Sequence, residues 1–107
     1  MLADPGDPPY TAVIFTSVRL PAAEGPEYAE TAARMEELAA RQPGYLGIES
    51  ASGGGLGVTV SYWRTPEDAT AWKAVAEHAA AQVAGRARWY ADYRVRVATV
   101  ERAYAKR

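Results

Sequence analysis

The stretch "YLGIESASGGGLGVTVSYW", residues 45–63, decides how the rest of the chain folds. Two runs with β-branched and aromatic residues flank a glycine cluster at Gly53, Gly54 and Gly55, the pattern of two antiparallel strands joined by a flexible hairpin. Successive side chains of a strand point to opposite sides. In the second run Val58, Val60 and Tyr62 therefore share one face, and Thr59, Ser61 and Trp63 share the other.

Upstream, "YTAVIFTSVR" (residues 10–19) reads as a first strand, with Val13 and Phe15 on one face and Ala12, Ile14 and Val18 on the other. A helix follows from Pro26, a residue suited to a first helical turn, with Glu27 and Glu30 near its positive end. Tyr28, Ala32, Met35 and Ala39 recur at helical spacing with Leu38 beside them, and "QPG" (residues 42–44) stops the pattern. Downstream, Thr65 and Pro66 open a second helix, with Asp68 placed as in a capping box. Its apolar stripe is Ala69, Trp72, Ala76, Ala79 and Val83, and Gly85 is expected to end or kink it. "DYRVRVATVERAY" (residues 92–104) alternates again as a long last strand.

The order is β-α-β-β-α-β, a ferredoxin-like α+β fold in which one four-stranded antiparallel sheet carries both helices on one face. The opposite face is then expected to be covered by a second copy. Three of the four strands are apolar on both sides: Ile14 and Val18 lie opposite Phe15, Trp63 opposite Tyr62, and Val100 opposite Val97. Leaving a side chain such as Trp63 in water forfeits about 3 kcal/mol, so a homodimer packed sheet to sheet is expected.

Composition bounds the rest. At 107 residues, 49% hydrophobic and 23% charged, the chain is expected to form one soluble domain over residues 10–107, preceded by a loose leader at 1–9 rather than a signal peptide. No apolar run approaches the ~20 residues that span a bilayer, so no membrane partner is expected. The absence of cysteine removes disulfides and thiolate chemistry and fits a cytoplasmic location. Net charge is −1, although residues 86–107 hold seven basic side chains against two acidic ones. Nucleic acid is not the expected partner: RNA-binding domains share this element order, but "LGVTVSYW" lacks their basic-Gly-aromatic third strand. The arginines Arg94, Arg96 and Arg102 read instead as one solvated or paired strand face.

"QPGYLGIES" and "SYWRTPEDATAWKAVAEHAAAQ" resemble the antibiotic biosynthesis monooxygenase domains of the dimeric α+β barrel superfamily. The matching positions are Pro43 and Gly44 before the second strand, Trp63 at the end of the third, Thr65-Pro66-Glu67 at the helix start, and His78 within that helix. The resemblance implies a dimeric barrel with a pocket between sheet and helices in each protomer. It also implies chemistry such as oxidation of aromatic polyketides by molecular oxygen without metal or flavin, or haem degradation as in relatives. Trp72 stands where many members place a second histidine.

The residue types allow a cofactor-independent oxygenase acting on a small hydrophobic or aromatic molecule, with no metal. His78 is the candidate acid/base, since an unperturbed imidazole titrates near neutrality. Trp72 and Trp63 are candidate pocket walls, Tyr62, Tyr90 and Tyr93 candidate orienting hydroxyls, and Arg94 or Arg96 a candidate holder of an anionic oxygen. The plainer reading makes Trp72 a core anchor and His78 a surface residue, since six helical residues put them about 120° apart. A non-catalytic ligand-binding dimer and a haem-binding relative using His78 remain as alternatives.

Overall fold

The computed structural model describes residues 2–83 and 86–106, with only the backbone of Arg86. The expected break at Gly85 lies outside these residues. Strands β1 (Tyr10–Arg19), β2 (Tyr45–Gly53), β3 (Leu56–Trp63) and β4 (Tyr90–Val100) form one antiparallel sheet in the order β2-β3-β1-β4. Helices α1 (Pro26–Ala40) and α2 (Pro66–Ala81) connect β1 to β2 and β3 to β4. This is the ferredoxin-like α+β arrangement that the strand and helix periodicities require.

Local chemistry explains the junctions. The β2–β3 hairpin turns through Gly54 (φ +58°) and Gly55 (φ +81°), and positive φ at both central positions is what a type I′ turn needs. Between α1 and β2, Gly44 adopts φ +80°, and a Cβ there would collide with the Asp68 carboxylate. The Gly44 carbonyl accepts from the Arg64 amide at 2.8 Å, tying this turn to the start of α2. Thr65 caps α2 by accepting the Asp68 amide on Oγ1 at 3.1 Å, with Pro66 in the first turn.

Register assigns the faces. Trp63 pairs with Thr11, Ser61 with Val13, Thr59 with Phe15 and Gly57 with Ser17, and this set faces the helices. Trp63 is fully buried among Ala39 of α1 and Ala69 and Trp72 of α2, with Val13, Met35, Leu38 and Tyr45 packed around them. The expectation that Trp63 needs a second copy for cover is therefore corrected: the helices bury it, and Tyr62 takes the other side. On α1 the half-buried positions are Tyr28, Thr31, Met35 and Leu38, whereas Ala32 is exposed.

The face away from the helices still leaves apolar surface in water. Val18 (44% exposed), Leu56 (60%) and Val58 (42%) lie on it together. At its other end the Ala3 amide donates to Glu49 Oε2 at 3.0 Å, so residues ahead of β1 reach across to β2. Among the described residues no helix is long and apolar enough to cross a membrane.

Candidate functional site

Among the described residues, β4 beyond Tyr90 is the strand left most open on the helix side. α2 packs on β1 and β3, α1 packs on β2, and β4 lies beyond β1 at the sheet edge. On β4 the residues registered with Val13, Phe15 and Ser17 are Val97, Val95 and Tyr93, which makes them the helix-side set. All three are open, at 60%, 45% and 56% exposure. The result is an apolar strip along β4, a trough bordered by Phe15 and Val13 on the β1 side and open at the sheet edge.

Aromatic rings close one end of this trough. Phe15 lies edge-on to Tyr90 at 5.4 Å between centroids and beside Tyr93 at 5.3 Å. Tyr28 of α1 reaches Tyr90 at 5.9 Å and Trp89 at 5.1 Å, and the Tyr90 hydroxyl donates to the Tyr28 hydroxyl at 3.0 Å. Tyr90 and Tyr93 share a face because β4 shifts register by one residue opposite Val18 and Arg19. Strict alternation would have put them on opposite sides. Burial, and then the bond to Tyr28, push the Tyr90 phenol upward, so it keeps its proton and serves as a donor rather than a base.

Arg19 backs the ring cluster. Its guanidinium carbon sits 4.6 Å from the Tyr28 ring centroid, an Nη donates to the Ala23 carbonyl, and Gly57 leaves room for its stem. Its Nε is buried without a hydrogen-bond partner among the described residues. Arg19, Phe15 and Tyr28 are not among the site residues that the sequence suggests, although it places Phe15 and Tyr28 on apolar faces of β1 and α1. The signal available there was a basic residue ending a strand whose inward positions are Val13 and Phe15.

The residues that were singled out fall in four places. Trp63 and Trp72 come together, stacked at 5.7 Å with planes 22° apart, in the core rather than on a pocket wall. Phe15 and Thr11 bracket the distance from that pair to the ring cluster: four residues of β1, or about 13 Å. Tyr90 and Tyr93 meet in the ring cluster. Tyr62 lies on the opposite face of the sheet, donating to Glu49 Oε1 at 2.6 Å and edge-on to Tyr10. Burial first, and then Glu49, push the Tyr62 phenol up to about 12, while that bond and the Ala3 amide hold Glu49 below the usual carboxylate range. Arg94 is on the same face as Tyr62, paired with Asp92, whose carboxyl it lowers.

His78 stands apart from all of these. It is exposed on α2, with its Nε2 3.3 Å from the Gln82 amide nitrogen. Gln82 and Ala79 line a cleft of about 350 Å³ between α2 and α1, together with Met35, Leu38, Arg34 and Arg41. Lys73, ion-paired to Glu77 at 3.4 Å, is half a turn from Gln82 at 100° per residue and marks the opposite flank of α2. His78 thus belongs to the α1 side of the helix, away from the trough.

Comparison with known proteins adds kinship to this geometry. The sequence pattern of the family described as antibiotic biosynthesis monooxygenase matches residues 9–84. An uncharacterised protein of Bacillus subtilis strain 168, YqjZ, is 50% identical over 97 residues, which cover 90% of this chain and 83% of that one. Among solved structures, SnoaB, a cofactor-independent oxygenase from Streptomyces nogalater, superposes with a TM-score of 0.68 at 14% identity, over 92% of this chain and 100% of its own. A haem-degrading protein from Mycobacterium tuberculosis gives 0.59 at 20% identity, over 92% and 100%. At these identities the two structures speak for the fold alone.

Proposed function

The chain belongs to the antibiotic biosynthesis monooxygenase family, and on that premise we propose that it is a cofactor-independent monooxygenase-like enzyme for a small aromatic or polyketide-type substrate. The observation that carries this reading is the open strip of Tyr93, Val95 and Val97 running into the Phe15–Tyr90 ring cluster on the helix side of the sheet. A flat apolar molecule laid there covers exposed valines and meets ring edges at its end, at about 25 cal/mol for each Å² of apolar surface removed from water.

The residues allot roles by their chemistry. Phe15 and Tyr93 supply ring surface, Val95 and Val97 the floor, and the Tyr90 hydroxyl, by donating to Tyr28, leaves the Tyr28 O–H as the donor for a substrate oxygen. Arg19 supplies positive charge behind the cluster, which favours a phenolate over a phenol. An ionised, electron-rich ring supplies the electrons itself: oxygen adds at a ring carbon bearing hydrogen to give a hydroperoxide, which loses water to leave the quinone. One oxygen atom thus enters the product, the other leaves as water, and the protein's task is positioning. Trp63 and Trp72 act as scaffold in this reading. Tyr62 and Arg94 belong to the opposite face.

The same proposal places a second copy over that opposite face, where Val18, Leu56 and Val58 are open, and places the cysteine-free protein in the cytoplasm. A haem reading is less well supported, because the single histidine of the sequence lies on the α1 side of α2. Oxygen uptake with a hydroxylated polycyclic aromatic tests the enzyme reading. Uptake that depends on Tyr90 and Val97 is the expected result. Saturable binding of the same compound without oxygen uptake would reassign the trough to a non-catalytic ligand binder.

A further inference from the structure

We propose that the cleft between α1 and α2 is a second ligand site, separate from the trough, and that it takes a single-chain anionic amphiphile such as a medium-chain carboxylate. The cleft has a local cause. Where the end of α2 faces the second half of α1 the lining is Ala79 and the C-cap residue Gln82, and the short Ala79 side chain leaves space between the helices. The volume left, about 350 Å³, is within the range of small-molecule sites.

Its lining is amphipathic in an ordered way. Met35 and Leu38 of α1 and Ala79 of α2 give an apolar floor. Arg34 and Arg41 stand on its α1 side, seven residues and hence about 10.5 Å apart along one side of the helix. Gln82 adds an amide from α2. Among the described residues, the ion pairs within 4.0 Å join Arg19 to Glu24, Lys73 to Glu77 and Arg94 to Asp92, and leave Arg34 and Arg41 without a carboxylate at that range. Glu37 is the one acid on the lining, so two guanidiniums face one carboxylate.

That charge balance, set over an apolar floor, selects the ligand class. An inorganic anion would leave the floor wet, and a neutral hydrocarbon would leave the guanidiniums unused. A carboxylate with an alkyl chain engages both, the head accepting from Arg34 or Arg41 and the chain covering Met35, Leu38 and Ala79. The cleft lies in the helix layer, so a second copy over the sheet's opposite face leaves it open.

The test is a titration of the full chain with decanoate below its micellar concentration, followed by backbone amide shifts. Saturable shifts confined to residues 31–41 and 76–82 are expected. Affinity should fall about tenfold or more in the R34Q/R41Q double variant and for decanol in place of decanoate. Ala79→Phe should fill the cleft and abolish binding while the melting temperature holds. If that variant does not fold, the surface Arg34/Arg41 pair still decides the matter. Equal binding of decanol, shifts centred on β4 or on Val18 and Val58, or no saturation at all would overturn the proposal.

Discussion

Trp63, the last residue of β3, and Trp72, two turns into α2, stack with ring centroids 5.7 Å apart and planes 22° from parallel. The indole of Trp63 is fully buried and donates through Nε1 to Ser61 Oγ at 2.9 Å, so neither its apolar area nor its polar edge is left unsatisfied. Either Trp→Ala change should cost about 3–5 kcal/mol of folding stability. Urea denaturation of the two single variants and the double should give a coupling of about 0.5–1.5 kcal/mol beyond additivity. Strict additivity would mean that the stack adds nothing beyond the burial of each ring.

The joint between α1, β2 and α2 should be as sensitive as the core. Thr65→Ala removes the cap on the Asp68 amide and should cost about 1 kcal/mol. Gly44→Ala imposes a side chain at φ +80° against the Asp68 carboxylate, and should cost more than the cap does. Thermal melts of the two variants rank them directly.

Glu49 predicts an acid-sensitive contact on the open face of the sheet. Its carboxyl is held below the ordinary range by the Tyr62 hydroxyl first and the Ala3 amide second. A depressed folded value means that its stabilisation is full above the ordinary carboxylate value and fades as pH falls through the depressed one. Tyr62 has the opposite sign: its raised folded value stabilises below the ordinary tyrosine range and fades as pH climbs toward about 12. Tyr62→Phe should raise the Glu49 midpoint in a carboxyl-carbon NMR titration. Glu49→Gln should lower the Tyr62 value only in part, because burial is the larger cause. An unmoved Glu49 midpoint would show that the phenol does not hold it.

For the trough, Val97→Arg sets a guanidinium on an already exposed floor position and should cut turnover about tenfold or more with the fold intact. His78→Ala should change stability by less than about 0.5 kcal/mol and leave turnover standing, since the ring is exposed and bonded only within α2. Loss of turnover in His78→Ala together with unchanged turnover in Val97→Arg would move the chemistry to the α1 side of α2.

What the sequence made legible follows from the range of each interaction. The β2–β3 hairpin, the Thr65 cap and the bounds of β1 depend on neighbours a few residues away, and all were readable. Two faces of β3 were equally readable, but which one the helices cover was not, because Trp63 and Tyr62 are both large and amphipathic. That choice is made by Ala39, Ala69 and Trp72, which meet Trp63 only after the chain has crossed the sheet. The company of Tyr90 was hidden for a sharper reason. A one-residue register shift defeats any count of odd and even positions, and it brings Tyr90 beside Tyr93. Arg19 was hidden because its surroundings form only on folding, when α1 brings Tyr28 over its guanidinium and Gly57 leaves room for its stem across the sheet.

The near-parallel indoles also carry an optical consequence. Two identical chromophores at 5.7 Å are close enough for their excitations to couple, and a two-signed circular-dichroism band that either Trp→Ala change removes is the expected result. Because Trp63 ends a strand and Trp72 sits on the following helix, that couplet appears only when α2 has docked onto the sheet. The protein therefore carries a built-in spectroscopic reporter of helix docking, without an attached label.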